Sequence, residues 1–460
     1  MRRNFLVLLL ASTANGKNKS DRGEFLYPVL GKPIIGLMLE TIFKLKPEKV
    51  WVVLDSHQQD VVQEISSYDV CLVHREQKES EIQAVMAAKK ILRNDREKDV
   101  LILDARLPLL QPETLKPLLA FHEKEGNSVT LMSVELKKPR GFRRIIRTEE
   151  GRLKIVEEKK TSPRERQVKE VAAGIFVFKI EDLLLAFSEV LGQNSIRKFG
   201  LADIVEILNQ NKKKIGVWRA SQAEEVIVAN TPLELARAAA VLRERKIQSL
   251  AEQGVSVRDP LTTWIDLDVR IGGETVISPS VTIEGKSQIG SHCQISPFVH
   301  IIDSKIGGRV RILSSSVIEE SIVEDKAQVG PFTHLRPKTV VRAGARVGNF
   351  VEMKNTVFGE RSKAGHLSYL GDSEVGKDVN IGAGTITCNF DGVKKNKTII
   401  EAGAFVGSGT ELVAPVKVGR KAYIGAGSTI TKNVSPEALA VARGKQIEKP
   451  GWVRRKRRGK

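Results

Sequence analysis

The residues best suited to chemistry in this 460-residue chain are few and lie in its second half. His366 sits in Lys363-Ala-Gly-His-Leu-Ser-Tyr369, and imidazole is the side chain best matched to taking up and returning a proton near neutral pH. A histidine in a strand is more often structural, so by type alone it is a candidate base and nothing more. Arg336 and Lys354 are of the types that grip phosphate, although a lone cation is more often a solvated surface charge. Cys71, Cys293 and Cys388 are odd in number and far apart. They provide neither a disulfide framework nor a metal-ligand spacing, so no metal site is expected and a reducing cytoplasm is the simpler home. The formal charge of +19 suits anionic small ligands. Part of it lies in Trp452-Val-Arg-Arg-Lys-Arg-Arg-Gly-Lys460, a kind of run more often solvated than bound. Without aromatic interleaving or a zinc spacing, nucleic acid is not an expected partner.

These residues need a rigid support, and beyond residue 255 the pattern identifies one. Val323, Val329, Leu335, Val341 and Val347 recur every six residues, as do Val406, Leu412, Val418, Ile424 and Ile430. Shorter runs occur at Ile289, Ile295 and Ile301, and at Val375 and Ile381. A six-residue aliphatic period, often with glycine next (Gly290, Gly330, Gly348, Gly376, Gly407, Gly419, Gly425), marks a parallel β-helix. One hexad makes one face of a triangular coil. Each aliphatic points into the prism and stacks on its equivalent three hexads later, and the small residue after it is expected to let the backbone turn the corner. The rhythm fails most at Lys394-Lys-Asn-Lys-Thr398, after Cys388-Asn-Phe-Asp-Gly392. That excursion is expected to project from the coil toward a neighbouring subunit, since prisms of this kind usually form closed trimers.

The first 232 residues alternate short apolar runs (5–10, 50–54, 100–103, 128–134, 174–178) with amphipathic stretches such as 33–43 and 79–92. This is the pattern of a Rossmann-like α/β sheet. The two arginines before the first run imitate a secretory signal, but the run is of strand length and reads as a buried first strand. Residues 232–253 are rich in strong helix formers. A chain this long exceeds one core. The expected division is a sheet domain at 1–232, a connecting helix at 233–255, a β-helix at 256–434 and a basic tail at 435–460. No stretch is long and apolar enough to span a membrane.

The stretch 334–434 resembles the acetyltransferase domain of a bacterial bifunctional family, N-acetylglucosamine-1-phosphate uridylyltransferase/glucosamine-1-phosphate N-acetyltransferase. The matching segments are Leu335-Arg-Pro337, Val347-Gly-Asn-Phe-Val-Glu-Met-Lys354, Ser362-Lys-Ala-Gly-His-Leu-Ser-Tyr-Leu-Gly-Asp372, Asn380-Ile-Gly-Ala-Gly-Thr-Ile-Thr-Cys-Asn389 and Leu412-Val-Ala-Pro-Val416. The resemblance implies a left-handed, trimeric prism that moves acetyl from acetyl-CoA to the amine of glucosamine 1-phosphate. It places the general base at His366, because an ammonium cannot attack a thioester and must first lose a proton. It carries phosphate binding to Arg336 and Lys354, sugar contacts to Tyr369 and Asn380, and a lysine near the substrate or donor phosphates to Lys395. For the acyl donor it points to Ala383, Asn389, Phe390, Ser408, Ala426 and Arg443. Small residues there let the pantetheine arm lie along the coil, where backbone groups can pair with its amides. Ser408 is placed to donate to the thioester oxygen, a contribution of about 2–4 kcal/mol. Phe390 stands where a tyrosine is usual. Glu352 is a candidate for orienting the base or the amine.

The same resemblance covers the first half, where departures are many. The family's glycine-rich loop ends in Gly-Thr-Arg, so that backbone amides and an arginine hold triphosphate. Here Leu10-Ala-Ser-Thr-Ala-Asn-Gly-Lys-Asn-Lys-Ser20 has one glycine and no arginine after it. Glu79-Ser-Glu81 stands for Gly-Thr-Gly, and Asp104-Ala-Arg106 for Tyr-Gly-Asp, whose aspartate binds magnesium. Arg143 replaces a glycine and Ala172 an asparagine, while Lys32, Glu157 and Asn230 remain. The expectation is a scaffold with uridylyl transfer lost or weakened, needing Mg²⁺ only if that activity survives. Three alternatives stay open. One is a phosphate clamp shifted to Lys17, Lys19 or Arg22, another a full bifunctional catalyst. The third is a nucleotide-sugar-binding scaffold in which Arg106 and Arg143 replace the metal's charge.

Overall fold

The computed structural model describes residues 5–12, 24–75, 81–148, 153–191 and 200–458, without the side chains of Glu81 and Arg458. Most of the loop 10–20, with Lys17 and Lys19, and also Arg22, Glu79 and Ser80, lie outside the described residues. The chain divides into two compact units between Leu242 and Arg243.

The first unit is built on a mixed sheet. Phe5–Ala11 is buried along its whole length between Lys49–Asp55 and Asp99–Asp104, both parallel to it. A run that is apolar on both faces is what a central parallel strand requires. Cys71–Arg75 extends the parallel order on one side. On the other, Glu170–Lys179 runs antiparallel to both Asp99–Asp104 and Val129–Glu135, and Ile215–Arg219 completes the edge. Alternate residues of the first strand feed two apolar layers, one under Ile34–Phe43 and Pro112–Glu125 and the other under Ile180–Leu191 and Leu201–Gln210. The 79–92 stretch is two short helices, Glu81–Ala87 and Lys89–Leu92, rather than one. A small hairpin, Arg144–Arg147 with Leu153–Val156, had no apolar run to announce it.

The helix between the halves is Pro232–Glu252. Within the second unit, Lys246 near its end donates to the carbonyls of Leu267 and Val269 at 2.9 and 2.6 Å, and Leu250 enters the prism's apolar core.

The second unit is a parallel β-helix with three ladders of strands. Successive coils are offset by 17 or 18 residues, as in Ile289 on Ile306 and Ile277 on Ile295, which is close to three hexads. The corners correct the sequence reading. Of the seven glycines that follow the aliphatics, only Gly330 has a positive φ. The left-handed conformation falls two residues later, on His292, Phe332, Phe350, Asp378 and Lys421 among others. The glycines answer a different need: a Cβ on Gly290, Gly348, Gly376, Gly407 or Gly419 would come within 1.8–2.6 Å of the next coil's backbone. Coil spacing, not the turn, excludes a side chain there. The prism also outlasts residue 434, since Leu439–Ala440 pairs with Tyr423–Ile424, and Trp452–Arg458 in the basic tail forms a short helix. Among the described residues no helix is long and apolar enough to cross a membrane.

Candidate active site

Two neighbouring coils carry unusually long strands, Arg346–Lys354 and Lys363–Gly371, which run across a corner with Phe350 and Leu367 in the left-handed conformation. They pair in parallel with Asn349 on His366, Glu352 on Tyr369 and Lys354 on Gly371. Further up the same face Lys363 lies on Asn380, Asn380 on Phe405 and Phe405 on Tyr423. Three residues beyond each of these, His366, Ala383, Ser408 and Ala426 therefore share one position on four successive coils. Backbone bonds tie the column: Gly384 N donates to Leu367 O at 2.6 Å, Gly409 N to Ala383 O at 2.7 Å and Gly427 N to Ser408 O at 2.8 Å. Arg443 closes the top, donating to the Ala426 carbonyl at 2.7 Å. At about 4.8 Å per coil, the column runs roughly 14 Å from His366 to Ala426. The imidazole is exposed at its foot, and only small side chains stand above it.

Around the corner, on the second face, Arg336, Glu352, Lys354 and Tyr369 gather. Arg336 donates to Glu352 Oε1 at 2.7 Å. The Glu352 carboxylate thus holds the Arg336 guanidinium through one of its oxygens. Lys354 faces Lys395 from the excursion. That second ammonium foremost, and Arg336 next, hold the Lys354 pKa below the ordinary lysine range, with Asp372 pulling the other way. Cations brought together against their own repulsion are the electrostatics of an anion site. The excursion itself is a small hairpin in which Phe390 bridges Lys395 in antiparallel fashion. Asp391 fastens its tip, accepting from the backbone of Val393 and Lys394 at 2.9 and 2.8 Å and from Asn396 Nδ2 at 2.8 Å.

The remaining candidates are distributed unevenly. Asn389 is buried, and its Nδ2 donates to Asp372 Oδ2 at 2.5 Å, so one arm of the amide is already engaged. Phe390 is exposed. Asn380 lies on the first face between Lys363 and Phe405, apart from the Tyr369 group on the second. The sequence reading gave Asp372 no role, although the coil period was enough to place it one coil beneath Asn389.

In the first unit Arg106 is tightly held. Its Nε and one terminal nitrogen donate to the two Asp104 oxygens at 2.9 and 2.5 Å, its other terminal nitrogen donates to Asn230 Oδ1 at 2.8 Å, and Glu24 lies 3.8 Å away. A guanidinium thus fills the oxygens that a divalent cation would need, and these residues do not fit magnesium. Lys32 pairs with Glu40 at 2.5 Å, and Glu157 lies 3.6 Å from Arg143. Among the described residues no group of three or more His, Cys, Asp or Glu could hold a metal ion, and the three cysteines are unbonded.

Fold and site together define a transferase with a nucleotidyltransferase sheet and a hexapeptide-repeat prism. The nucleotidyl transferase family matches residues 23–266, more than half of the chain, and the bacterial transferase hexapeptide (six repeats) family matches 397–432. The chain is 40% identical over 452 residues to the bifunctional protein GlmU of Thermotoga maritima, covering 98% of this chain and 99% of that one. It is 38% identical over 453 residues to the Thermodesulfovibrio yellowstonii protein of the same name, with 98% and 99% covered. The Thermoanaerobacter pseudethanolicus protein is 40% identical over 449 residues, with 97% of each covered. The chain belongs to the family of the bifunctional protein GlmU.

Proposed function

We propose that the prism transfers acetyl from acetyl-CoA to the amine of glucosamine 1-phosphate, giving N-acetylglucosamine 1-phosphate and CoA. One observation carries this: an exposed imidazole stands at the foot of a column of small residues, with three cations around the corner. Arg336, Lys354 and Lys395 hold the sugar phosphate, and Tyr369 orients a hydroxyl. The donor lies along Ala383, Ser408 and Ala426, with its amides on backbone groups and with Asn389, Phe390 and Arg443 flanking it. His366 accepts the amine's proton as the N–C bond forms; the C–S bond breaks and the departing thiolate is protonated to the CoA thiol. Ser408 lies two coils above His366, on the order of 10 Å between Cα atoms. The amine nitrogen and the thioester carbonyl together span that gap, which leaves the Ser408 hydroxyl to donate to the charge growing on the carbonyl oxygen. Asn380 contributes from a neighbouring copy in a homotrimer, and the three free thiols fit a reducing cytoplasm. Incubation of the purified chain with both substrates is expected to release free thiol; none released would overturn the reading.

A second reading adds uridylyl transfer from UTP to make UDP-N-acetylglucosamine. The nucleotidyl transferase match and the full-length likeness to bifunctional relatives favour it over a chain with one activity. The Arg106 cluster weighs the other way, because magnesium would have to displace a guanidinium bonded to Asp104 and Asn230. Pyrophosphate release from UTP and N-acetylglucosamine 1-phosphate, with and without Mg²⁺, decides it: release supports the bifunctional enzyme, and none leaves the sheet a scaffold.

A further inference from the structure

We infer that Asp372 is a positioning residue whose carboxylate clamps the base of the 389–397 hairpin to the coil and so holds Lys395 opposite Lys354 before any anion arrives. The inference rests on the phosphate-binding role proposed above.

The register locates the clamp. Before this corner Tyr369 pairs with Ile386, an offset of 17 residues; after it Ser373 pairs with Thr398, an offset of 25. All the extra residues leave the prism directly above Asp372. Asp372 is bonded in both directions. Toward the coil below, its Oδ1 accepts from Asn355 Nδ2 at 2.6 Å and its backbone N–H donates to Lys354 O at 3.0 Å. Toward the hairpin, its Oδ2 accepts from Asn389 Nδ2 at 2.5 Å and its carbonyl accepts from Thr398 N at 3.2 Å. One residue therefore grips both feet of the excursion and the strand that carries Lys354.

The hairpin is stiff above that grip, through the Asn396 N to Asn389 O bond at 2.7 Å and the Asp391 turn. Its underside packs against few apolar side chains, Val357 being the one that lines the space beneath it. A cavity of about 330 Å³ lies there, lined by Lys338, Asn355, Asp372, Lys395 and Lys397 among others. Burial thus contributes little to its orientation, and polar ties must set it. They also oppose a force, since two ammonium groups left to themselves separate. Gly371 completes the arrangement: a Cβ there would lie 2.5 Å from Tyr369 Oη and 2.7 Å from Asn389 Nδ2, so its absence lets the clamp and the tyrosine share one space.

Asp372→Asn keeps the shape but turns one acceptor into a donor, so one of the two amides loses its partner. In the full-length protein this substitution is expected to raise KM for glucosamine 1-phosphate at least tenfold and to leave kcat within about threefold, because the His366 column is untouched. If Asp372 works through Lys395, the same change in a Lys395→Ala background raises KM less than twofold. An equal effect in both backgrounds, or an unchanged KM, overturns the inference. Asp372→Ser replaces Asp372→Asn if the latter does not fold, with thermal melts as the check. Calorimetric titration with inorganic phosphate separates this inference from the functional reading. A wild type that binds phosphate at least tenfold more tightly than the Asp372 variant supports the clamp even if no acetyl is transferred, whereas equal affinity or no binding in the wild type sinks it.

Discussion

A lysine held against another lysine gives up its proton early. On the proposed reading it is the charged form of Lys354 that holds the sugar phosphate, and its pKa is pushed down first by Lys395 and then by Arg336. Its charge is therefore lost as pH rises through a value below the ordinary lysine range. KM for glucosamine 1-phosphate should rise on the alkaline side from that lowered point, and Lys395→Ala should move the onset upward; a pH profile of kcat/KM checks both. His366→Ala should lower kcat by about 100-fold or more with little change in KM, as expected for a proton acceptor used only in the transition state. In the first unit, Arg106→Asp would set a new carboxylate beside Asp104, Asn230 and Glu24. The variant should bind Mn²⁺ more tightly than the wild type, as read by electron paramagnetic resonance; equal binding by both proteins would show that the guanidinium does not exclude the metal.

At the scale of the element, the coil is a stack whose spacing tolerates little. A Cβ at Gly348 would lie 1.8 Å from the carbonyl oxygen of Gly365, on the strand that carries His366, whereas a Cβ at Gly365 would meet nothing within 4 Å. Gly348→Ala should therefore destabilise the prism by about 1–3 kcal/mol and reduce acetyl transfer, while Gly365→Ala should stay within about 0.5 kcal/mol of the parent. Urea unfolding followed by circular dichroism compares the pair. The contrast separates two reasons for glycine that a sequence cannot distinguish, an obligatory close approach and a merely permitted small residue.

At the scale of the whole molecule, the candidate site is divided. His366 and the column of small residues above it stand at one corner, the cations Arg336 and Lys354 lie on the second face, and Asn380 lies on the first. The proposed homotrimer requires a cleft shared between copies to reunite Asn380 with the sugar. Sedimentation should accordingly give a particle three times the 50.8 kDa chain mass, and acetyl transfer should be lost on dilution together with that mass. A fully active monomer would refute this assembly.

The hexad rhythm by itself determined the prism, because each aliphatic must find its equivalent three hexads later to leave water, and that demand is written one residue at a time. It also determined that His366 lies on such a wall, and the length and apolar runs of the first half were enough to specify a sheet. Where Phe5–Ala11 sits in that sheet, that Glu352 serves Arg336, and that Asp372 grips the hairpin were settled only by tertiary structure. These are contacts between residues 16 or more apart along the chain. Their partners are chosen by strand order and coil register, and a residue's own type carries neither. The same holds for Arg106 and Asn230: the place of Arg106 in Asp104-Ala-Arg106 puts it beside one carboxylate, and the fold decided that Asn230, 124 residues on, would bind it as well.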